Sequence, residues 1–121
     1  MNPKALSIRP FIGAKDYEQS RKFYTAFGFT ETVLIPEMSV FEYGNVSFYL
    51  QNAYVKDWIN NTMIFMEVDD LDTMWLEISA LNLPSKFSSV RVSAISDDDW
   101  GREFFVHDPS GILWHIGSFH Q

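Results

Sequence analysis

An internal repeat is the feature that most constrains the fold of this sequence, and it emerges when the chain is aligned with itself at a shift of 54 residues. At this shift Asp16 meets Asp70, and Ala26-Phe27-Gly28-Phe29 meets Ala80-Leu81-Asn82-Leu83. Each aspartate stands directly before an amphipathic pattern, where a helix N-cap is expected. Matching helix starts and helix ends predict two copies of one supersecondary unit.

The hydrophobic pattern predicts the same order of elements in both copies: a strand, a helix and three strands. In the first copy these are Ser7–Ile12, Tyr17–Phe27, Thr30–Ile35, Val40–Tyr43 and Val46–Gln51. In the second they are Met63–Val68, a helix from Leu71 to about Asn82, Ser89–Ile95, Glu103–Val106 and Ile112–Ile116. One unit cannot cover both faces of its own sheet, so two units are expected to pack together.

The expected fold is therefore α+β, with a single domain spanning residues 1–121. We predict two βαβββ modules, about 5–53 and 61–121, related by a pseudo-twofold axis. Their strands are expected to form a curved mixed sheet around a cup. Two unrelated α+β halves are the alternative interpretation of the same pattern.

Composition narrows the functional classes. The chain has no cysteine, so disulfides, thiolate nucleophiles and zinc–cysteine sites are excluded. Its net charge of −7 argues against nucleic acid and anionic membrane surfaces as partners. We find no signal-peptide pattern and no apolar run long enough to span a membrane, and we expect a cytoplasmic protein. Aromatic residues form 17% of the chain, which indicates either a cavity or interface lined with rings or a Phe-rich core.

Three segments resemble a known superfamily. They are the first helix region from Gly13 to Phe29, the run Glu67-Val68-Asp69-Asp70-Leu71, and the closing motif from Trp100-Gly101 to Asp108-Pro109-Ser110-Gly111. Together with the repeated βαβββ order, they resemble the vicinal oxygen chelate superfamily of glyoxalases, bleomycin resistance proteins and dioxygenases. The length and the closing motif are most similar to bleomycin-resistance proteins.

The resemblance implies four inward-facing positions that hold a metal in the metal-dependent members. Here they fall on Arg9, Tyr49, Met63 and His115. Phe48 is the alternative for the second position, and Tyr49 is preferred because Val46, Phe48 and Leu50 form the expected core face. Of the four, only His115 suits a divalent metal, because Arg9 is a fixed cation and Met63 a soft, weak ligand. We therefore expect no metal and no cofactor, which disfavours metal-dependent glyoxalase or dioxygenase activity.

Candidate ligand-binding residues are those expected to line the cup or the cleft beside it: Arg9, Phe11, Tyr49, Trp58, Met63, Phe65, Glu67, Trp100 and His115. Arg9 is expected either to pair with a ligand carboxylate or to form an ion pair with Glu67. His115 is either an acid/base group or a satisfied polar residue at the rim. The acidic run Asp97–Asp99 beside Trp100 either attracts a cation or is a solvated loop.

Three functional hypotheses follow. The first, implied by the resemblance, is a metal-free homodimer that sequesters an aromatic or cationic small molecule in an inter-subunit cleft, as in antibiotic resistance, without being an enzyme. The second is a metal-independent isomerase or lyase that uses His115 as its acid/base group. The third is a structural or regulatory dimer with a vestigial pocket.

Overall fold

The computed structural model describes residues 2–120. Its elements in chain order are β1 (Phe11–Gly13), α1 (Tyr17–Phe27), β2 (Thr30–Ile35), β3 (Met38–Tyr43), β4 (Val46–Gln51), α2 (Lys56–Asn60), β5 (Met63–Glu67), α3 (Leu71–Ala80), α4 (Leu83–Lys86), β6 (Arg91–Val92), β7 (Ser96–Asp97), β8 (Gly101–His107) and β9 (Leu113–Phe119). The strands form two mixed sheets, ordered β1-β4-β3-β2 and β5-β9-β8-β6, with β7 paired to β8. The predicted α+β class and the two βαβββ units are confirmed, and no strand ladder of residues 2–120 joins the two sheets.

The two main helices begin where the sequence predicts. The Asp16 side chain accepts a hydrogen bond from the backbone N–H of Gln19, and Asp70 accepts one from Thr73 in the same way. These caps satisfy N–H groups that have no partner inside the helix. At the end of α1, Gly28 has a φ of 125°, which a residue with a Cβ rarely adopts, so the predicted glycine C-cap is confirmed.

Strand register supports the repeat at the level of single residues. In the first sheet Phe11 lies opposite Tyr49 in a parallel pair, and in the second Phe65 lies opposite His115. The shift of 54 residues carries Phe11 onto Phe65, so Tyr49 and His115 occupy equivalent places. Phe48 is buried and Tyr49 is only partly buried, as the predicted alternation requires.

The two modules share one aromatic core. Phe48 of the first sheet contacts Trp114 of the second with ring centroids 5.5 Å apart, and Tyr24 of α1 contacts both rings. Because side chains alternate along a strand, Tyr49 and His115 point away from this core. We call the face of each sheet that is turned away from the core its outer face.

A buried network of hydrogen bonds joins the two modules inside this core. The Tyr24 hydroxyl donates to Asp108 Oδ2 at 2.6 Å and accepts a hydrogen bond from Trp114 Nε1 at 3.0 Å. Asp108 Oδ1 also accepts the backbone N–H groups of Ser110, Gly111 and Ile112. Burial raises the pKa of Asp108 against the opposing effect of these hydrogen bonds, and burial beside Asp108 raises the pKa of the Tyr24 phenol.

Two predicted strands were wrong in extent. The expected strand Ser7–Ile12 is ordered as a strand only from Phe11 to Gly13, because residues 2–10 form no ladder within the chain and Pro10 lacks a backbone donor. The expected strand Ser89–Ile95 is replaced by two short pairs, β6 and β7, on either side of a loop. In that loop the Ser93 backbone N–H donates to the Phe105 carbonyl, and the Ser93 hydroxyl accepts from the Phe105 N–H. These bonds replace a regular ladder.

Two short helices were not predicted. Helix α2 lies in the segment between the modules, and α4 begins at Leu83 with Pro84 in its first turn, where a missing N–H costs nothing. None of the helices within residues 2–120 has the length and apolar character needed to cross a membrane.

Candidate functional site

The outer face of the second sheet carries the densest set of predicted site residues. Across this face Phe65 of β5, His115 of β9 and Phe105 of β8 lie side by side in register. The next row contains Glu67, Gly117 and Glu103. Sequence reasoning found Phe65, Glu67 and His115 but missed Glu103 and Phe105.

His115 and Glu103 form a close pair on this face. His115 Nδ1 lies 2.7 Å from Glu103 Oε1, and both side chains are largely shielded from solvent. The edge of the imidazole meets the Phe105 ring at a centroid distance of 4.9 Å. A carboxylate at Nδ1 fixes the orientation of the ring, and no hydrogen bond from residues 2–120 engages Nε2. The pair can therefore offer a hydrogen bond, or exchange a proton, at Nε2.

Three exposed aromatic rings lie next to this pair. Phe65, Trp100 and Phe119 contact one another with centroid distances of 5.4 to 5.8 Å. Their exposed fractions are 44%, 37% and 53%, which is unusual for rings of this size. Gly117 makes room for Phe65, because a Cβ at Gly117 would lie 3.1 Å from Phe65 Cζ. We call these three rings the aromatic trio.

Acidic residues flank two members of the aromatic trio along the chain. Asp97, Asp98 and Asp99 directly precede Trp100, and Glu67 follows Phe65 on the same face of β5. Asp97 Oδ1 lies 3.3 Å from His120 Nε2, and that nitrogen also bonds to the backbone carbonyl of Asp98 at 2.9 Å. The negative potential of these carboxylates favours a cationic group over the exposed rings.

A cavity of about 490 Å³ opens between the two sheets. Its lining includes Ser47 and Phe48 of β4, Phe65 and Glu67 of β5, and Trp114 of β9. Ligand pockets in proteins commonly occupy about 300–1,000 Å³. This cavity brings Phe65 and Glu67 together with residues of the first module.

The other candidates form a second group on the outer face of the first sheet. Arg9 donates to the Tyr49 hydroxyl at 3.2 Å, and Phe11 stacks on the Tyr49 ring at a centroid distance of 4.7 Å. The predicted alternative, an ion pair of Arg9 with Glu67, is wrong. The guanidinium instead donates to the Tyr49 hydroxyl and lies over the Tyr49 ring in the same module. No hydrogen bond, ion pair or ring contact within residues 2–120 connects this group to the His115 group.

Trp58 lies away from both groups, and Met63 lies at the margin of the second sheet's group, two positions before Phe65 on the same face of β5. Trp58 lies on α2, where it is 72% exposed, and Met63 is exposed at the start of β5. Neither side chain is covered by the rest of the described chain. Their exposure is consistent with a surface that a ligand or a second chain covers, and it leaves their predicted role in binding as a prediction.

Glu103 and Phe105 carried a signal that sequence reasoning overlooked. In the run Glu103-Phe104-Phe105-Val106, alternation places Glu103 and Phe105 on one face and Phe104 and Val106 in the core. A carboxylate inside such an apolar strand is expected to find a partner, and His115 on the next strand is that partner. Among residues 2–120, no three histidine, aspartate or glutamate side chains cluster closely enough to hold a metal ion.

The amino-acid sequence matches no protein-family model and no curated protein sequence. Its structure, however, is similar to solved structures over nearly its whole length. A bleomycin-binding protein from Streptomyces verticillus, solved with copper(II)-bleomycin, is 20% identical with a TM-score of 0.81, covering 98% of this chain and 100% of that one. A bleomycin resistance determinant encoded on the transposon Tn5 is 15% identical with a TM-score of 0.79, over 95% and 98% of the two chains.

A lactoylglutathione lyase from Agrobacterium tumefaciens is also similar, at 17% identity and a TM-score of 0.69 over 96% of each chain. At these identities the comparisons establish a shared fold. That fold is common to a ligand-binding protein and an enzyme, so function has to be argued from the residues of the site.

Proposed function

We propose that this chain, which has the fold of the vicinal oxygen chelate superfamily, is a small-molecule-binding protein that sequesters an aromatic or cationic ligand without metal. The observation that carries this proposal is the aromatic trio, which lies exposed beside the cavity between the sheets. Water-exposed rings in mutual contact offer a large apolar platform for a planar ligand at low cost in side-chain entropy. Sequestration requires such complementarity and no reactive group.

Charge supports the cationic part of the proposal. Glu67 and Asp97–Asp99 border the trio, and the whole chain carries a net charge of −7. A cation over an aromatic face is stabilised by about 0.5–2 kcal/mol, and neighbouring carboxylates raise its local concentration. Because bleomycin-binding proteins have the same fold, bleomycin is the first ligand to test.

We further propose that a second copy of the chain completes the cleft. The described chain leaves apolar side chains uncovered on both outer faces and along residues 2–10, where Leu6 and Ile8 are 89% and 95% exposed. Phe11, Met63 and Phe119 are more than half exposed as well. Apolar surface on this scale marks an interface in soluble proteins, and interfaces favour aromatic side chains. The unpaired outer edge of β5 offers backbone groups to such a partner.

Ligand binding is tested by titrating the protein with bleomycin, with copper(II)-bleomycin and with 2-naphthylmethylamine as a simple aromatic cation. We expect quenching of tryptophan fluorescence and a higher thermal midpoint, because a ligand that binds only the folded state stabilises it by about 2.7 kcal/mol at 100 times its Kd. Trp100→Ala is expected to lower affinity tenfold or more for whichever of these ligands binds, through lost stacking.

The matched control is Leu76→Ala, which removes another exposed apolar side chain from α3, away from the outer faces. It is expected to bind like the wild type. Equal affinity of Trp100→Ala and the wild type would remove the aromatic trio from the site, and no binding of any of the three probes would contradict the proposal.

The dimer is tested by size-exclusion chromatography with light scattering. The expected mass is twice the 14.1 kDa of one chain at micromolar concentration. Deleting residues 2–8 removes Leu6 and Ile8 and is expected to weaken dimerisation tenfold or more, because it withdraws apolar surface from the interface. A wild-type mass of 14.1 kDa at 100 µM, a concentration on the order of that used for weak dimers, would rule out the inter-subunit cleft.

A metal-independent isomerase or lyase is the second candidate, and the His115–Glu103 pair favours it. A carboxylate 2.7 Å from one imidazole nitrogen is the arrangement by which general bases are oriented in enzymes. Chemical conversion of a bound ligand by the wild type, lost in His115→Gln while binding persists, would decide for this candidate over sequestration.

A further inference from the structure

Two side chains that carry nitrogen donors, one arginine and one histidine, occupy the other end of the outer face of the second sheet. Arg91 of β6 lies directly opposite His107 of β8 in their antiparallel ladder. Directly opposed residues have Cβ atoms about 5 Å apart, so both side chains reach the same volume. Along β8 the residues on this face are Glu103, Phe105 and His107, which places the pair two positions beyond Phe105.

The Arg91–His107 pair has no carboxylate partner in the described chain. Arg91 forms no hydrogen bond and no ion pair with any of residues 2–120, although acidic residues outnumber basic ones by 16 to 9. Burial and the nearby charge of Arg91 lower the pKa of His107. The neutral imidazole of His107 adds a hydrogen-bond donor beside the positive charge of Arg91. The arrangement is therefore suited to an anion that the chain itself does not supply.

The pair opens onto an apolar cavity of about 480 Å³. Its lining includes Pro84, the edge of β6 with Val90 and Val92, and Phe105 on the outer face. No aspartate or glutamate from residues 2–120 is part of the lining. A site with an apolar wall and two neighbouring nitrogen donors matches a molecule that has an apolar body and one anionic end.

We propose that Arg91 and His107 bind the carboxylate of a small organic acid whose apolar body lies against Phe105 in this cavity. The guanidinium can donate two parallel hydrogen bonds to a carboxylate, and a neutral imidazole can add one. Phe105 also touches His115, so this carboxylate subsite is continuous with the face described above. The inference rests on the proposed function in placing the ligand on that face, and it adds an anionic end to the ligand class.

With the carboxylate subsite, the outer face of the second sheet has a positive end and a negative end. Arg91 and His107 lie towards one end, whereas Glu103, Glu67 and the aspartate run lie towards the other. A ligand that spans the whole face would carry its anionic group at the Arg91 end and its cationic group over the aromatic trio. Arg91 thus discriminates among ligands by charge as well as by shape.

The test uses the full chain, with 2-naphthoate as the probe and 2-naphthamide as its uncharged analogue. Calorimetric titration of the wild type is expected to give at least tenfold tighter binding of the naphthoate. Arg91→Gln is expected to lower naphthoate affinity tenfold or more and to leave amide affinity unchanged. Saturation with naphthoate is expected to raise the NMR-detected pKa of the His107 imidazole, because the bound anion favours its charged form.

Lys22→Gln is the control, because it removes one exposed positive charge from α1 and leaves the cavity intact. It is expected to bind naphthoate like the wild type. Arg91 is exposed, so Arg91→Gln is expected to keep the wild-type thermal midpoint.

Equal affinity for naphthoate and amide, an unchanged affinity in Arg91→Gln, or no binding of naphthoate would each overturn the carboxylate subsite. The proposed function would survive any of these results, since binding of an aromatic cation that depends on Trp100 is measured separately. Loss of that Trp100-dependent binding would instead refute the proposed function.

Discussion

Replacing Asp108 by alanine is expected to lower the free energy of unfolding by about 3–5 kcal/mol. The substitution removes the acceptor of the Tyr24 hydroxyl and of three backbone N–H groups, and all of them lie in or next to the buried core. A donor left without a partner in the interior costs about 1–3 kcal/mol. Because domains of this size are stable by about 5–15 kcal/mol, much of the stability would be lost. Urea denaturation followed by circular dichroism measures the change.

Two variants make the prediction specific. Asp108→Asn keeps the shape and one acceptor oxygen, so its loss is expected to lie between those of the wild type and Asp108→Ala. Ser110→Ala removes only a hydroxyl that accepts from the Lys15 backbone N–H and contacts Ser20, and it should cost about 1 kcal/mol or less. An Asp108→Ala variant as stable as Ser110→Ala would show that the network does not hold the modules together.

Gly101→Ala is expected to produce the second large effect, a loss of about 3 kcal/mol or more together with a disturbed site. A Cβ at Gly101 would lie 2.2 Å from the Ser118 carbonyl oxygen and 2.9 Å from Phe119 Cα, which are backbone atoms of the paired strand. The start of β8 would have to separate from the end of β9, and Trp100 and Phe119 would move apart. Thermal denaturation and tryptophan fluorescence report the two consequences.

Gly117→Ala provides the comparison, because its new Cβ would meet the Arg102 carbonyl oxygen at 3.0 Å and the mobile end of the Phe65 ring at 3.1 Å. The ring can turn aside, so this variant is expected to lose about 1–2 kcal/mol. A Gly117→Ala variant less stable than Gly101→Ala would be inconsistent with the backbone clash at Gly101.

Features set by local chemistry were predictable from the sequence. The two aspartate caps, the glycine that ends α1 and the Gly44-Asn45 turn between β3 and β4 are each encoded within a few residues. The choice of Tyr49 over Phe48 for the outer face also followed from alternation along one strand. The fold implied by the resemblance of three sequence motifs to a known superfamily agrees with the fold that the structural comparisons show.

Features set by distant parts of the chain were not predictable in the same way. The strand expected at Ser7–Ile12 has the right alternation, yet strand structure needs a ladder of backbone hydrogen bonds. Before Phe11 only the Pro10 carbonyl joins β4, by accepting the Tyr49 N–H. Asp108 looked like a turn residue because its bonds to Ser110 and Gly111 are local, whereas its bond to Tyr24 spans 84 positions. Arg9 likewise donates a hydrogen bond to Tyr49 and not to Glu67, and this depends on the packing of distant residues, which no local pattern reveals.

The repeat relates the two outer faces in backbone but not in chemistry, since Tyr49 stands where His115 does and Arg9 stands where Met63 does. A pocket built from one subunit's first sheet and the other's second sheet would occur twice in a symmetric pair. Each pocket would have two chemically different ends. The stoichiometry would therefore be two molecules per assembly, each bound in a single orientation.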